Sequence, residues 1–502
     1  MADVSRLVFS NLTMVRILAS RQVEAWGSCA FIVLIVTAVA IASTTGVGVG
    51  ASWFDEQRII LLVALAVAAL LARLARAIPT DKASALLLAA LALGLSSSTL
   101  APRSYVAAVE WSVYCLMTLL VLSARASKPS TIETVAGLAG AIIPTAYVTG
   151  VMANYVSALL LDFPVGAETL LVGFSNPRFP AQLQVLTIPL LPLALQRAST
   201  TFWRVCVAIV AALWWMCFIG SGSRTGWIAI TVAAMAMSFF GAEGRRWLKW
   251  QLLFAASGAL LWGFLFHWLP ALLSMTAAPE TGRFSDFASV SARWKLWRIS
   301  VESALERPFV GLGPMHFAYV DNGDGAHPHN FWLQLAAEWG IPAALLVGTV
   351  AVGFFARLWR AARVEADPTM KRVGPAIVAA VLAWGIGTLS DGYMVVPTSQ
   401  AMSTVVLMLA VMWLRLSLPA ATTPTFGRLA AIISTVFCAI ALTVLAMLPA
   451  TEFGQPTRRE KSWRAEHPGE LMWPRFWQQG WIGPTEDPTA RPEPSWTGRS
   501  VQ

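Results

Sequence analysis

The sequence holds five histidines, and two of them open a segment able to do acid–base chemistry, with His329 the candidate base: His327-Pro-His329-Asn330-Phe-Trp-Leu333-Gln-Leu-Ala-Ala-Glu338-Trp-Gly340. A polar start that runs straight into an apolar helix puts His329 at a membrane surface. There an imidazole can take a proton from an incoming hydroxyl at neutral pH. An ordinary capping or interfacial histidine leaves the same signature. His327 and Asn330 flank the candidate base and are candidate substrate contacts. At about 3.6 residues per turn, the step from His329 to Glu338 lands on the opposite helix face and roughly 13 Å deeper. Glu338 is therefore expected to play a structural role, pairing with another helix inside the bundle.

Other polar segments suit an anion. Gly220-Ser-Gly-Ser223-Arg224-Thr-Gly226 interrupts two apolar runs. Its glycines and hydroxyls let backbone N–H groups open toward an anion, Ser223 is a candidate contact, and Arg224 carries a delocalised charge matched to phosphate oxygens. The Gly-Lys-Ser/Thr ending of a P-loop is missing. A tight turn between two hairpinned helices fits the segment equally well. Ser291-Ala-Arg293-Trp-Lys-Leu-Trp297-Arg298, continuing to Pro308, has helical periodicity and interleaves tryptophan with basic residues. It reads as a helix along the bilayer surface, with Arg293 aimed at a lipid-linked phosphate in the sharper interpretation. Pro308-Phe-Val-Gly311-Leu-Gly313 then reads as a turn bringing the chain back toward His329. Phe174-Ser-Asn176-Pro-Arg178-Phe-Pro-Ala-Gln182-Leu-Gln184 offers Arg178 and Gln184 as substrate contacts. Ser390-Asp391-Gly392 ends another run with a carboxylate that can fix an imidazole tautomer.

Lipid must position these residues. Of the 502 residues 57% are hydrophobic and 13% charged, and the mean hydropathy of +0.63 lies outside the soluble range. Apolar runs of bilayer-crossing length recur near 27–45, 59–78, 84–100, 104–124, 133–152, 183–196, 203–221, 226–242, 249–269, 331–356, 374–391, 400–417 and 429–449. With no alternation of barrel type, the expected fold is all-α, a polytopic transmembrane helical bundle of about 12–13 spans. The expected divisions are residues 1–269 as N-terminal transmembrane helices and 270–330 as a large periplasmic loop with an interfacial helix. Residues 331–449 follow as C-terminal transmembrane helices, and 450–502 as a Pro/Trp-rich tail.

Basic groups such as Arg6/Arg16/Arg21, Arg73/Arg76/Lys82, Arg125/Lys128, Arg245/Arg246/Lys249 and Arg357/Arg360/Arg363 fall on one side of an alternating count. The N-terminus is thus expected in the cytoplasm and the polar motifs on the other face. The same topology accounts for the net charge of +9 better than nucleic acid does. The five cysteines sit in apolar stretches without metal-ligand spacing, so neither zinc nor disulfides follow. The tail has acidic and basic residues in balance, and its side stays open.

The ordered set Gly-Ser-Gly-Ser-Arg224-Thr-Gly, Arg293 with Pro308-Phe-Val-Gly-Leu-Gly, and His329-Asn-x-x-Leu333 with Glu338-x-Gly340 resembles the O-antigen ligase-like superfamily. That superfamily includes O-antigen polymerases and pilin-type O-oligosaccharyltransferases. The resemblance spans about residues 172–391, and the Trp-rich tail has no match in it. It implies a glycosyltransferase of lipopolysaccharide biosynthesis in the bacterial inner membrane. A glycan would pass from undecaprenyl pyrophosphate to an acceptor hydroxyl at a periplasmic active site, with inversion and without metal or other cofactor. Lipid A-core is the first-choice acceptor, with repeat units or pilin as alternatives. His329, Arg293 and Arg224 would be the catalytic set. A secondary transporter or flippase would place its ionisable residues mid-membrane and ranks last.

Overall fold

In the computed structural model the described residues are 28–44, 52–74, 81–174, 176, 178–275, 288–320, 325–418, 427–452 and 474–482. The basic residues Arg6, Arg16, Arg21 and Arg76 lie outside them, as does most of the tail. The architecture is all-helical: α1 Ser28–Ala42, α2 Trp53–Leu74, α3 Lys82–Leu100, α4 Ser104–Ser123, α5 Pro129–Leu160, α6 Arg178–Thr187, α7 Leu191–Arg197, α8 Thr201–Gly220, α9 Arg224–Met237, α10 Gly241–Gly263, α11 Leu269–Leu272, α12 Ala288–Glu306, α13 Phe331–Trp339, α14 Ile341–Val364, α15 Pro368–Gly387, α16 Pro397–Ser417 and α17 Gly427–Glu452.

Among the described residues ten helical runs are long and apolar enough to cross a bilayer. The sequence count of 12–13 differs for identifiable reasons. α1 is short, and α2 carries Asp55, Glu56 and Arg58 near its start. Arg224–Leu272 forms one apolar stretch even though the chain breaks at Gly241, where φ is 58°. The fold is a polytopic helical bundle. Its centre is α4 and the α6–α7 run, with 83% and 89% of their apolar windows buried, whereas only 11% of α14 is covered by protein. Lipid is the natural cover for the rest.

The run expected at 331–356 is two helices. Gly340 has φ 90°, ending α13 and starting α14, and a Cβ there would stand 2.4 Å from the Phe309 carbonyl oxygen. Only glycine fits both conditions. The Pro308–Gly313 turn produces this break, and it returns the chain to the far end of α13 rather than to His329. Leu312 and Gly313 N–H donate to the Ala337 and Glu338 carbonyls at 2.8 and 2.9 Å, and Ile341 N–H donates to Pro308 at 2.8 Å. The first two bonds satisfy carbonyls that the end of α13 would otherwise leave unpaired.

Candidate active site

Helix ends gather at one end of the bundle. Arg178 and Arg224 are the first residues of α6 and α9, Asp391 follows α15, and the His327–Asn330 loop precedes α13. Asn330 caps α13, its Oδ1 accepting from Trp332 and Leu333 N–H at 3.0 and 3.1 Å. Phe331 N–H donates to the Thr388 carbonyl at 2.9 Å, which fastens the start of α13 to the end of α15. The imidazole of His329 is thereby set beside Asp391, with Nδ1 3.8 Å from Oδ1.

Asp391 is buried and held from two further sides. Gln182 Nε2 donates to its Oδ1 at 2.9 Å and Gly392 N–H at 2.8 Å, while Gln182 Oε1 accepts from Ser399 Oγ at 2.9 Å. Burial alone would raise this carboxyl, but His329, Gly392 N–H and Arg293 bring it below its ordinary value. Asp391 is therefore a carboxylate, suited to stabilising an imidazolium.

The two histidines divide their tasks. His327 is buried, its imidazole lies against Gly392, and its Nδ1 accepts the His329 backbone N–H at 3.2 Å. Burial chiefly, together with the nearby His329, Arg475 and Arg293, pushes its pKa well down, so the ring is neutral and can accept. His329 itself adopts φ 54°. A left-handed histidine costs on the order of 1–3 kcal/mol, and the backbone bond to His327 helps hold it. With Nδ1 turned to Asp391, Nε2 is the ring nitrogen on the opposite edge.

Arg293 reaches the site because α12 is anchored one turn away: Trp297 Nε1 donates to the Pro328 carbonyl at 2.9 Å. Residues four apart share a helix face, so Arg293 faces the same loop. Burial lowers its pKa, Asp391 opposes that, and the charges of Arg178 and Arg224 lower it further. Three guanidiniums and one carboxylate therefore lie within electrostatic reach of one another. The outer face of α12 exposes Trp294 and Leu305, as a helix on a bilayer surface would.

The remaining predicted contacts have other duties. Ser223 caps α9, its Oγ accepting from Gly226 N–H at 3.2 Å, and Ser221 Oγ donates to the Phe218 carbonyl at 2.6 Å. The segment is thus a tight α8–α9 turn that contributes Arg224 as a charge. Gln184 points away from Asp391, donating to the Trp214 carbonyl of α8 at 3.2 Å. Glu338 is buried, but its carboxylate pairs with Arg475 of the tail at 2.6 Å and accepts the Phe317 N–H at 3.0 Å, where another helix of the bundle was the expected partner. Gln182, Trp297 and Arg475 also support the site, and the sequence pattern does not single them out. A glutamine inside an apolar run was the one available signal for the first.

Residues 207–348 match the O-antigen ligase family model. The match supports the O-antigen ligase-like superfamily, and with it a multi-pass membrane protein of O-antigen ligase or polymerase type with glycosyltransferase-like activity. It takes in Arg224, Arg293, His329 and Glu338 and leaves Arg178, Gln182, Asp391 and Arg475 outside. No curated protein matches the chain.

Proposed function

We propose that the chain transfers an O-antigen-type glycan from undecaprenyl pyrophosphate to an acceptor hydroxyl, with lipid A-core as the acceptor. The observation that carries this reading is the convergence of Arg178, Arg224 and Arg293 beside the His329–Asp391 pair. The acceptor oxygen attacks the anomeric carbon from one face while the bond to pyrophosphate breaks on the other, inverting the centre. The hydroxyl proton passes to His329 Nε2, and the Asp391 carboxylate stabilises the imidazolium formed. The electron pair leaves with undecaprenyl pyrophosphate, whose developing charge meets guanidiniums at the first residues of α6 and α9. That charge stabilisation takes the place of a metal ion.

An apolar cavity of about 1190 Å³ opens beside Phe331 and Trp332 and continues between α3, α4, α14 and α16. In this reading the cavity receives the polyprenyl chain of the donor. In this reading the N-terminus is cytoplasmic and the site faces the periplasm across the inner membrane.

The test is reconstituted transfer from an undecaprenyl-pyrophosphate-linked glycan, with lipid A-core, a second repeat unit and pilin offered separately, and with a strong chelator present. Product on lipid A-core supports the proposal. Product on a repeat unit or pilin alone reassigns the acceptor, and activity lost to chelation and restored by a divalent ion overturns the metal-free mechanism.

A further inference from the structure

The tail segment 474–482 returns from beyond α17 and is embedded at the end of the bundle that holds the site. Arg475 has no exposed surface and lies between two buried carboxylates. Its Nε and Nη2 donate to Glu110 of α4 at 3.0 and 2.9 Å, and Nη2 reaches both oxygens of Glu338 on α13 at 2.8 and 2.6 Å. A second buried guanidinium, Arg58 of α2, completes the arrangement. It lies 4.7 Å from the Phe476 ring centroid, and its Nε donates to the Phe476 carbonyl at 2.9 Å. Its other nitrogens donate to the Val395 carbonyl at 2.6 Å and to Gln400 Oε1. Gln400 in turn donates to the Met394 carbonyl at 2.6 Å. The segment is held at its middle and at its last residue, Gln478 N–H donating to Asp55 at 2.6 Å and Ile482 N–H to the Ala318 carbonyl at 3.2 Å.

This chain of contacts joins two elements whose relative placement sets the site. Glu338 lies on the helix whose start carries His329. Val395, Met394 and Gln400 belong to the turn and first helical residues that follow Asp391. Phe331 and Thr388 connect the same two elements by one hydrogen bond, and the tail adds a second connection. Buried guanidinium–carboxylate contacts are directional and lose much energy if one partner is removed.

We propose that segment 474–482 is a working part of the site, in which Arg475, acting with Arg58, is a positioning residue that holds the His329-bearing helix in register with the Asp391-bearing turn. The consequence for transfer rests on the function proposed above. The mechanical part does not.

Both parts are tested on the full chain with Arg475→Gln and the charge-balanced pair Glu338→Gln/Arg475→Gln, which leaves Glu110 to face Arg58. Spin labels at positions 332 and 389, on α13 and in the turn that follows α15, read the register without turnover. The wild type should give one narrow distance, broadened in both variants. Transfer should fall about 10- to 100-fold in kcat in both, with the donor KM within about 3-fold, since a displacement near 1 Å can cost that much. The charge-balanced pair should recover thermal stability without recovering kcat. Recovery of kcat together with stability would make Arg475 a structural residue only, and an unbroadened distance would overturn the proposal. A wild type that keeps a narrow distance and transfers no glycan would overturn the enzyme reading and leave the mechanical role standing.

Discussion

Nδ1 of His329 lies 3.8 Å from Oδ1 of Asp391, a carboxylate already occupied by Gln182 and Gly392. The separation exceeds a hydrogen bond, as catalytic pairs often do before substrate is bound. Shortening it on substrate arrival would fix Nε2 as the atom that receives the hydroxyl proton. His329→Ala should therefore lower kcat about 10²- to 10⁴-fold while donor binding stays nearly intact. Asp391→Asn should lower kcat in the same direction and leave donor KM little changed. His327→Asn supplies an oxygen where Nδ1 now accepts His329 N–H, so it should keep most activity. Steady-state kinetics on protein of matched folding check all three. Full activity of His329→Ala would remove it as the base.

The arginines should fail in a different way. Arg224→Ala and Arg293→Ala each remove stabilisation of departing pyrophosphate, on the order of 2–4 kcal/mol, and should weaken donor binding as well as turnover. Arg178→Ala should behave likewise, because its charge acts on Arg293 within the same cluster. Lysine at any of the three positions should rescue only in part, since a point charge cannot reproduce the guanidinium fork. Donor titration alongside kcat measures the split, and unchanged donor affinity in all three alanine variants would remove the phosphate clamp.

How far the sequence reaches can be judged from these residues. Hydropathy runs and helix-end punctuation bring Arg224, Arg293 and His329 into view because each stands where an apolar run begins or a surface helix turns basic. The same logic could not separate a capping side chain from a free one. Asn330 and Ser223 are caps because their oxygens find N–H groups two or three residues on, a local geometry compatible with either role. Gln182 and Gln184 differ only in which helix face meets Asp391, and that depends on packing against α15 and α16. The break at Gly340 comes from tertiary contact with Phe309, so a continuous apolar pattern concealed it. Arg475 lies 365 residues from Glu110 and 137 from Glu338, and no periodic signal connects them.

Acid should loosen the loop between α12 and α13. His316 is buried, its Nδ1–H donates to the Pro314 carbonyl at 2.9 Å, and its Nε2 accepts Arg103 N–H at 3.1 Å. Burial, which outweighs the opposing Pro314 carbonyl, brings its pKa from 6.5 to about 4. The folded value lies below the unfolded one, so the unfolded chain binds the extra proton first. Stability from this group is complete above pH about 6.5 and is lost as pH falls toward 4, about 2 kcal/mol by pH 5. His327, also depressed, adds in the same direction. Apparent melting of the purified protein should drop between pH 7.5 and 5, and by less in His316→Gln. An equal drop in both proteins would assign the acid sensitivity elsewhere.

The tail and the site should be reached from the same side of the membrane. Arg475 contacts Glu338 on α13, and Trp294 lies on the outer face of the helix that carries Arg293, so both segments belong to the end of the bundle where α6 and α9 begin. Arg363 lies in the last turn of α14, at the opposite end. In a background without the five native cysteines, single cysteines at Trp294 and at the half-buried Trp481 should react with an impermeant thiol reagent added outside intact cells. A cysteine at Arg363 should react only after the inner membrane is opened, because the basic ends of the helices are expected to stay cytoplasmic. Labelling of Trp294→Cys and Trp481→Cys from opposite sides would separate the tail from the site and remove the Arg475–Glu338 pair. Labelling of both only after opening would keep the pair and invert the whole bundle, placing His329 on the side where no periplasmic acceptor could reach it.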